Sequence, residues 1–206
     1  MPASNLALIL DTETTGNRAD SDLIEIGMVM LDVPSLDQLG EFTVVIEPSP
    51  EQFTSMMQND VVRKMHEANG LIADLLAHKG VEPAVADSLT NQWLDQFTTE
   101  RTHIPYGGSG VAHFDRQYIT RQLPRLDRRI TYWALDVGAV RRVFGLQGAS
   151  WMQTEKGEAY DAKTHRGLDD AKVHADELRY GAQAGLDAAK WRAHVNRPRF
   201  ESELSG

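Results

Sequence analysis

The chain has 206 residues, 41% of them hydrophobic, and no cysteine, which favours one domain with a sizeable core and excludes a fold held by disulfides. No apolar run is long enough to span a bilayer and the N-terminus lacks a signal-peptide pattern, so we expect a cytoplasmic protein with no membrane partner. The net charge of −9 argues against a protein that coats long nucleic acid through a basic surface, but it allows an enzyme that holds a short piece of a chain.

The first fifty residues predict three consecutive strands. Leu6–Leu10 is a continuous apolar run, which is typical of a central strand covered on both faces. Leu23–Leu31 and the β-branched segment Glu41–Glu47 follow after short connections, so we expect antiparallel neighbours. Pro48 and Pro50 end the third strand.

The middle of the chain predicts helices that cover this sheet. Residues 51–79 favour short helical pieces, and apolar positions at helical spacing predict a longer helix over Ala84–Phe97. A short strand over His103–Tyr106 leads into the glycine-rich stretch Gly107–Gly110, and a helix should then run from Ala112 to about Leu123.

The last third predicts a further strand over Ile130–Leu135, followed by a helix that Asp136 caps and that extends to Phe144. Residues 145–164 have no clear period, and we interpret them as a long loop, one possible role of which is to close over a substrate. A helix should begin at Gly167 and end near Ala184. We therefore divide the chain into one domain over 1–185 and a helical or flexible tail over 186–206.

Two carboxylates mark the end of the first predicted strand. Asp11 and Glu13 are separated by one residue, so in extended backbone both side chains leave on the same face. Two carboxylates that lie this close repel each other unless a cation lies between them. On its own, such a pair is more often a solvated turn than a metal site.

Two later motifs change this interpretation. Asp115 follows the glycine-rich stretch, and the segment HRGLDDA places His165 just before a helix that carries Asp169 and Asp170 in its first turn. Four carboxylates in these contexts can hold two divalent cations through hard oxygen ligands, which Mg²⁺ and Mn²⁺ prefer. A histidine beside them can take a proton from water near neutral pH.

These motifs resemble those of the DEDDh family of 3'-to-5' exonucleases. The resemblance extends from about Leu6 to Tyr180 and rests on DTETTG, GSGVAHFDRQYI and HRGLDDA. It implies an α/β ribonuclease H-like fold, a mixed five-stranded sheet flanked by helices, with two Mg²⁺ or Mn²⁺ ions per active site. Its implied catalytic residues are the general base His165 and the metal-binding residues Asp11, Glu13, Asp115 and Asp170.

Within that family the chain is most similar to oligoribonucleases. The segments VVRKMHEANGLIADL and LPRLDRRITYWALDVGAV carry this second resemblance. It implies hydrolysis of short single-stranded RNA to nucleoside 5'-monophosphates by a homodimer in which Tyr132 reaches the neighbouring subunit's site. The implied substrate-binding residues are Thr14, Gly16, His66, Ser109 and Tyr132, and a helix-surface position is the alternative for His66.

The chain departs from the oligoribonuclease pattern at three positions. Trp133 replaces the arginine after the tyrosine, Gly138 replaces a serine, and Asn17 replaces a leucine that wedges against a base. Tryptophan cannot make the bidentate grip that arginine makes on phosphate, and we expect Trp133 in the core or at a dimer interface. An exonuclease of the same family that acts on single-stranded DNA or longer RNA is therefore the alternative. A binding module with a decayed site is disfavoured because all five catalytic residues are present.

Overall fold

The computed structural model describes residues 5–146 and 164–195, with side chains described over 5–143 and 164–183. A mixed five-stranded sheet forms the centre, as the resemblance implied. Its strands are β1 Leu6–Thr14, β2 Leu23–Asp32, β3 Gln38–Val45, β4 Ile104–Gly108 and β5 Ile130–Asp136. The strand order is β3-β2-β1-β4-β5, with β1 antiparallel to β2 and parallel to β4. Strands β4 and β5 are parallel, so β1, β4 and β5 run in the same direction and their carboxyl ends lie at the same end of the sheet.

Strand β1 is longer than its apolar run. The prediction that the strand ends before the two acids is wrong, because β1 continues to Thr14 and pairs Asp11 with Gly27 and Glu13 with Glu25. A register shift follows Glu13. The apolar run in the sequence corresponds only to the part of β1 that packs against apolar side chains. Backbone hydrogen bonds to β2 extend the strand beyond that run.

Helices flank the sheet within the described ranges. They are α1 Pro50–Gln58, α2 Asp60–Ala68, α3 Leu71–Leu76, α4 Pro83–Leu94, α5 Asp115–Gln122, α6 Pro124–Asp127, α7 Val137–Leu146 and α8 Gly167–Val195. The sequence had not indicated α6, α5 begins three residues later than predicted, and α8 continues past the predicted end at Ala184. No helix in the described part of the chain has the length and apolar character needed to cross a bilayer.

Three predictions on chain organisation stay open. Most of the predicted loop, residues 147–163, lies outside the described residues, as does the end of the tail, 196–206. Helix α8 runs without a break across residue 185. The division into a domain and a tail therefore stays a prediction.

The sheet buries both of its faces, which explains the continuous apolar run in β1. Leu8 and Leu10 point into the larger core on the side of α4 and α5, whereas Ile9 packs with Val29 against α8. Alternate residues of one strand thus supply two cores. A strand of this kind holds the groups at its end in a fixed position.

Close packing of α8 on β2 positions the start of that helix. A Cβ atom built on Gly27 would lie 2.0 Å from the carbonyl carbon of Gly167 and 2.0 Å from the nitrogen of Leu168. Only glycine at position 27 allows this approach. The contact brings the predicted histidine and acid at the beginning of α8 to the end of β1.

Candidate active site

A cavity of about 520 Å³ lies where β1 and β4 end and α5 and α8 begin. Its walls include all five residues that the sequence predicted as catalytic, namely Asp11, Glu13, Asp115, His165 and Asp170. These residues come from three separate parts of the chain. The fold thus brings together three motifs that are far apart in the sequence.

Three of the five site residues lie close enough to share a cation. Among the described residues, Glu13, His165 and Asp170 place ligand atoms within 4.8 Å of one another. Asp170 is 1% exposed, and its Oδ1 accepts a hydrogen bond of 3.1 Å from the backbone nitrogen of Thr164. Two carboxylates and an imidazole at this spacing are ligand types that a divalent cation accepts.

Asp115 is buried beside two donors from Thr12. Its Oδ1 accepts hydrogen bonds from the Thr12 backbone nitrogen at 3.0 Å and from the Thr12 hydroxyl at 2.6 Å. Burial, followed by the neighbouring carboxylate of Asp11, raises the pKa of Asp115 to about 7. Two buried carboxylates that disfavour each other's charge fit a positive ion between them, so the donor set fits a divalent metal.

A buried network extends from Asp11 toward the opposite wall. Nε2 of His174 lies 3.3 Å from Oδ1 of Asp11, and Nδ1 lies 3.1 Å from Oε2 of Glu177. Oε1 of Glu177 accepts a hydrogen bond of 2.6 Å from Arg141, whose other terminal nitrogen donates to the Ser109 hydroxyl at 3.2 Å. Burial alone would raise the pKa of Glu177, but the His174 hydrogen bond and the Arg141 charge outweigh it and lower that pKa.

Sequence reasoning missed this network, although one signal for it was present. His174 lies one helical turn after Asp170, so both project from the same face of α8. Glu177 follows at the next turn of that face. Helical spacing from the predicted metal ligand would have found both residues, but nothing in the sequence indicated Asp11 as the partner.

His165 is exposed at the cavity in a left-handed backbone conformation with φ of 54°. The residues around it are held firmly. Arg166 forms an ion pair with buried Glu25 at 2.7 Å, and Oε2 of Glu25 also accepts a hydrogen bond of 2.7 Å from the Gly167 nitrogen. The side-chain amide of Asn69 donates to the carbonyl oxygen of His165. These contacts fix the backbone on both sides of the imidazole.

His66 does not line the cavity. It is fully buried, with Nε2 3.0 Å from the carbonyl oxygen of Thr14 and Nδ1 4.0 Å from Oε2 of Glu13. The alternative position on the helix surface is therefore wrong, whereas the substrate contact that the resemblance implied stays a prediction. Burial lowers the pKa of His66, so its imidazole is neutral. In this form it contacts the end of β1 at Thr14 and Glu13.

The other predicted substrate-binding residues divide into two groups. Thr14, Gly16 and Ser109 line the cavity, and the Thr14 hydroxyl donates to the Gly16 carbonyl at 2.6 Å. Tyr132 is 91% exposed and lines a different cavity. Its neighbour Trp133 is 43% exposed, so the first expectation for it, a place in the core, is wrong, and the second, a place at a dimer interface, stays a prediction. Both residues belong to β5, which is the last strand on its side of the sheet in the described part of the chain.

Two features of the cavity were not anticipated. Its outer wall is largely apolar, with Val61, Val62 and Met65 from α2 and Phe114 from the start of α5. Gly138 is in close contact with the inner wall, because a Cβ built there would lie 2.4 Å from the Ser109 hydroxyl oxygen. The absence of a side chain at 138 thus leaves Ser109 the space it occupies beside Arg141.

No family model matches the chain. Curated proteins do match it over most of its length. The oligoribonuclease of Rhodococcus jostii is 32% identical over 179 residues, covering 83% of this chain and 83% of the relative. The oligoribonuclease of Mycobacterium bovis is 30% identical over 172 residues, covering 83% of this chain and 77% of the relative.

A solved structure supports the fold assignment. The nuclease domain of 3'hExo, a DEDDh family member bound to rAMP, superimposes with a TM-score of 0.59 at 18% identity, over 89% of this chain and 94% of that domain. This likeness confirms the mixed sheet with flanking helices. With the sequence relatives and the five motif residues around one cavity, it shows that the chain belongs to the oligoribonuclease family of DEDDh 3'-to-5' exonucleases.

Proposed function

We propose that this protein is a metal-dependent 3'-to-5' exonuclease that hydrolyses short single-stranded RNA to nucleoside 5'-monophosphates. The observation that carries the proposal is the gathering of Asp11, Glu13, Asp115, His165 and Asp170 around one cavity. The four carboxylates would hold two divalent cations, Mg²⁺ or Mn²⁺. When bound, such ions stabilise negative charge on the attacking and leaving oxygens of a phosphoryl displacement.

The protein's own groups account for the proton transfer. His165 is exposed at the cavity, where its imidazole can accept the proton of the water that attacks phosphorus, while the bond from phosphorus to the 3' oxygen breaks. The terminal nucleotide leaves as a 5'-monophosphate. Arg166, Glu25 and Asn69 hold the backbone on either side of His165, so the imidazole needs little reorganisation.

The cavity walls supply contacts for the terminal nucleotide. The exposed side chains of Val61 and Phe114 offer an apolar surface for a base. Thr14, Gly16 and Ser109 offer polar groups on the facing wall. We propose these three as substrate-binding residues and assign His66 a positioning role through Thr14 and Glu13.

We further propose that the protein is a homodimer in which Tyr132 contacts substrate in the partner's site. Its exposure supports this proposal, as do the exposed side chains of Trp133, Val140 and Val143 on β5 and α7. Apolar groups on an edge strand and its neighbouring helix are typical of a contact surface. The molar mass in solution tests the dimer, and a cytoplasmic location stays a prediction from composition.

A second candidate substrate class is single-stranded DNA or longer RNA. The observation that favours it is the pair of replacements at Trp133 and Gly138, since Trp133 lacks the charge of an arginine and Gly138 lacks the hydroxyl of a serine. Without a phosphate-binding group that blocks the site, the cavity would admit a longer nucleic-acid chain. The chemistry at the carboxylates would be unchanged.

The experiment compares hydrolysis of a 5'-labelled diribonucleotide, a longer RNA and a single-stranded DNA of matched sequence, with Mn²⁺ present. Asp11→Ala and His165→Ala should each abolish hydrolysis, whereas the matched control Asp169→Ala, which removes the exposed neighbour of Asp170, should retain it. Preference for the dinucleotide supports the short-RNA proposal. Equal or faster hydrolysis of the longer chains supports the second candidate, and an inactive wild type contradicts both.

A further inference from the structure

Arg141, on α7, joins two parts of the active-site cavity from behind its wall. Its two terminal nitrogens have different acceptors. Nη1 donates to Oε1 of Glu177 at 2.6 Å, and Nη2 donates to the Ser109 hydroxyl at 3.2 Å. Ser109 lines the cavity, whereas Arg141 does not. No motif in the sequence had indicated a role for this arginine.

One set of contacts leads from Arg141 to a predicted metal ligand, and we call it the metal arm. Oε2 of Glu177, which is 3% exposed, lies 3.1 Å from Nδ1 of His174. His174 is fully buried, and its Nε2 lies 3.3 Å from Oδ1 of Asp11. A buried polar group that loses its partner is destabilised and its side chain rotates more freely. We therefore expect a change at Arg141 to reach Asp11.

The other contact leads to Ser109, a predicted substrate-binding residue, and we call it the substrate arm. A serine hydroxyl rotates freely unless its hydrogen bonds restrict it, and Arg141 supplies such a bond. Gly138 supplies the space, because a Cβ built there would lie 2.4 Å from the Ser109 hydroxyl oxygen. Gly138 and Arg141 are three residues apart on α7, so they share a face of that helix. The orientation of Ser109 thus depends on this face of α7.

A guanidinium group is suited to join the two arms. It is planar and carries its donors in a rigid fork, so a contact that fixes one terminal nitrogen also fixes the other. The ion pair with buried Glu177 is the stronger of the two contacts, because its acceptor is charged. A lysine has a single nitrogen on a flexible stem and cannot reproduce this geometry.

We propose that Arg141 is a positioning residue that holds the metal-binding part and the substrate-binding part of the site in one arrangement. It orients Asp11 through Glu177 and His174, and it orients Ser109 directly. Both arms rest on the proposed function, which supplies the cation at Asp11 and the RNA at Ser109. A change at Arg141 therefore affects the affinity for metal and the affinity for substrate, whereas a change within one arm affects one of them.

Two affinities, each measured by isothermal titration calorimetry, test the two arms separately. The first is the affinity of the metal-free protein for Mn²⁺. The second is the affinity for an unlabelled diribonucleotide at saturating Mn²⁺ in the His165→Ala background, in which hydrolysis is abolished. The variants are Arg141→Gln, Arg141→Lys, Ser109→Ala and His174→Asn. Arg142→Gln is the matched control, because it removes the same charge from the next, exposed position of α7.

We expect Arg141→Gln to weaken Mn²⁺ binding about 3- to 10-fold and dinucleotide binding about 3-fold. Ser109→Ala should weaken dinucleotide binding alone, and His174→Asn should weaken Mn²⁺ binding alone. Arg141→Lys keeps the ion pair with Glu177, so it should bind Mn²⁺ as the wild type does and lose the same dinucleotide affinity as Ser109→Ala. Arg142→Gln should change neither affinity.

Wild-type Mn²⁺ affinity in a folded Arg141→Gln protein would overturn the metal arm, and wild-type dinucleotide affinity in Arg141→Lys would overturn the substrate arm. The second result decides even if Arg141→Gln does not fold. Equal losses in Arg142→Gln would overturn the proposal, since the charge of α7 and not the position of Arg141 would then be responsible. Failure of the wild type to hydrolyse any substrate would instead contradict the proposed function.

Discussion

Nε2 of His174 lies 3.3 Å from Oδ1 of Asp11, so the second turn of α8 contacts the first acid of the DTETTG motif inside the protein. The other ring nitrogen contacts Glu177, which Arg141 holds in turn. An imidazole clamped between two carboxylates has one orientation and restricts the rotation of both. Asp11 is therefore presented to the cavity in a fixed position.

Replacing His174 by Asn should let the Asp11 side chain rotate more freely while leaving its carboxylate in place. We expect Mn²⁺ affinity, measured by isothermal titration calorimetry, to fall about 10- to 100-fold, as for other groups that orient metal ligands. With metal at saturation, kcat for the dinucleotide should fall while KM changes little. Lys172→Gln, on the same helix but half-buried and paired with Glu41 of β3, should leave Mn²⁺ affinity unchanged. Normal Mn²⁺ affinity in a folded His174→Asn protein would contradict the positioning role.

The raised pKa of Asp115 predicts a pH-dependent stability in the presence of a chelator. In the unfolded chain the group ionises near 3.8, and in the folded protein near 7, so between these values the folded state holds a proton that the unfolded state has lost. Stability from this group is fully present below about pH 4 and falls as the pH rises toward 7. Asp115→Asn keeps an oxygen for both Thr12 donors and removes the titration.

Thermal unfolding of the two proteins from pH 4 to 8 measures this effect. The advantage in Tm of Asp115→Asn over the wild type should grow from pH 4 to about 7 and stay constant above that. Addition of Mn²⁺ at pH 8 should then raise the Tm of the wild type more than that of the variant. A difference in Tm that does not change with pH would show that Asp115 ionises normally.

Glu25 joins β2 to the segment that carries His165. It accepts hydrogen bonds from Arg166 and from the Gly167 nitrogen, and its side chain is 2% exposed. Glu25→Gln would leave Arg166 with Asp74, at 3.1 Å, as its acidic partner, so we expect a loss of about 1 to 3 kcal/mol in the free energy of unfolding. Glu41→Gln, which removes an exposed ion-pair partner of Lys172, should cost less than about 1 kcal/mol. Urea denaturation compares the two, and equal losses would contradict the structural role of Glu25.

The close contact between Gly27 and Gly167 predicts that a methyl group added at position 27 strongly lowers the stability of the protein. Gly27→Ala would place its Cβ 2.0 Å from backbone atoms of α8, which cannot move independently of the helix. We expect a loss of at least about 3 kcal/mol in stability, together with reduced hydrolysis, because the start of α8 would shift from the cavity. Gly70→Ala, where a Cβ meets open space but φ is +82°, should cost about 1 kcal/mol through backbone strain. Urea denaturation and dinucleotide hydrolysis of both variants test the difference.

The sequence by itself determined the types of groups and their local settings. The apolar run before Asp11 indicated a central strand, because a strand covered on both faces cannot alternate with polar residues. The prediction that Asp136 caps a helix is confirmed, since its Oδ1 accepts a hydrogen bond of 2.9 Å from the Ala139 nitrogen. The motif spacing identified the family, and with it a mixed five-stranded sheet. Each of these inferences depends on residues that are neighbours along the chain.

Only the tertiary structure decided which side chains from distant parts of the sequence contact each other. Thr12 meets Asp115 across 103 residues of sequence, and Asp11 meets His174 across 163. The burial of His66 behind Thr14 and the contact of Arg141 with Ser109 are likewise set by packing. Periodicity and motif spacing report the face on which a side chain leaves its own element. They do not report which distant side chain occupies the space opposite, because that depends on how all the elements pack together.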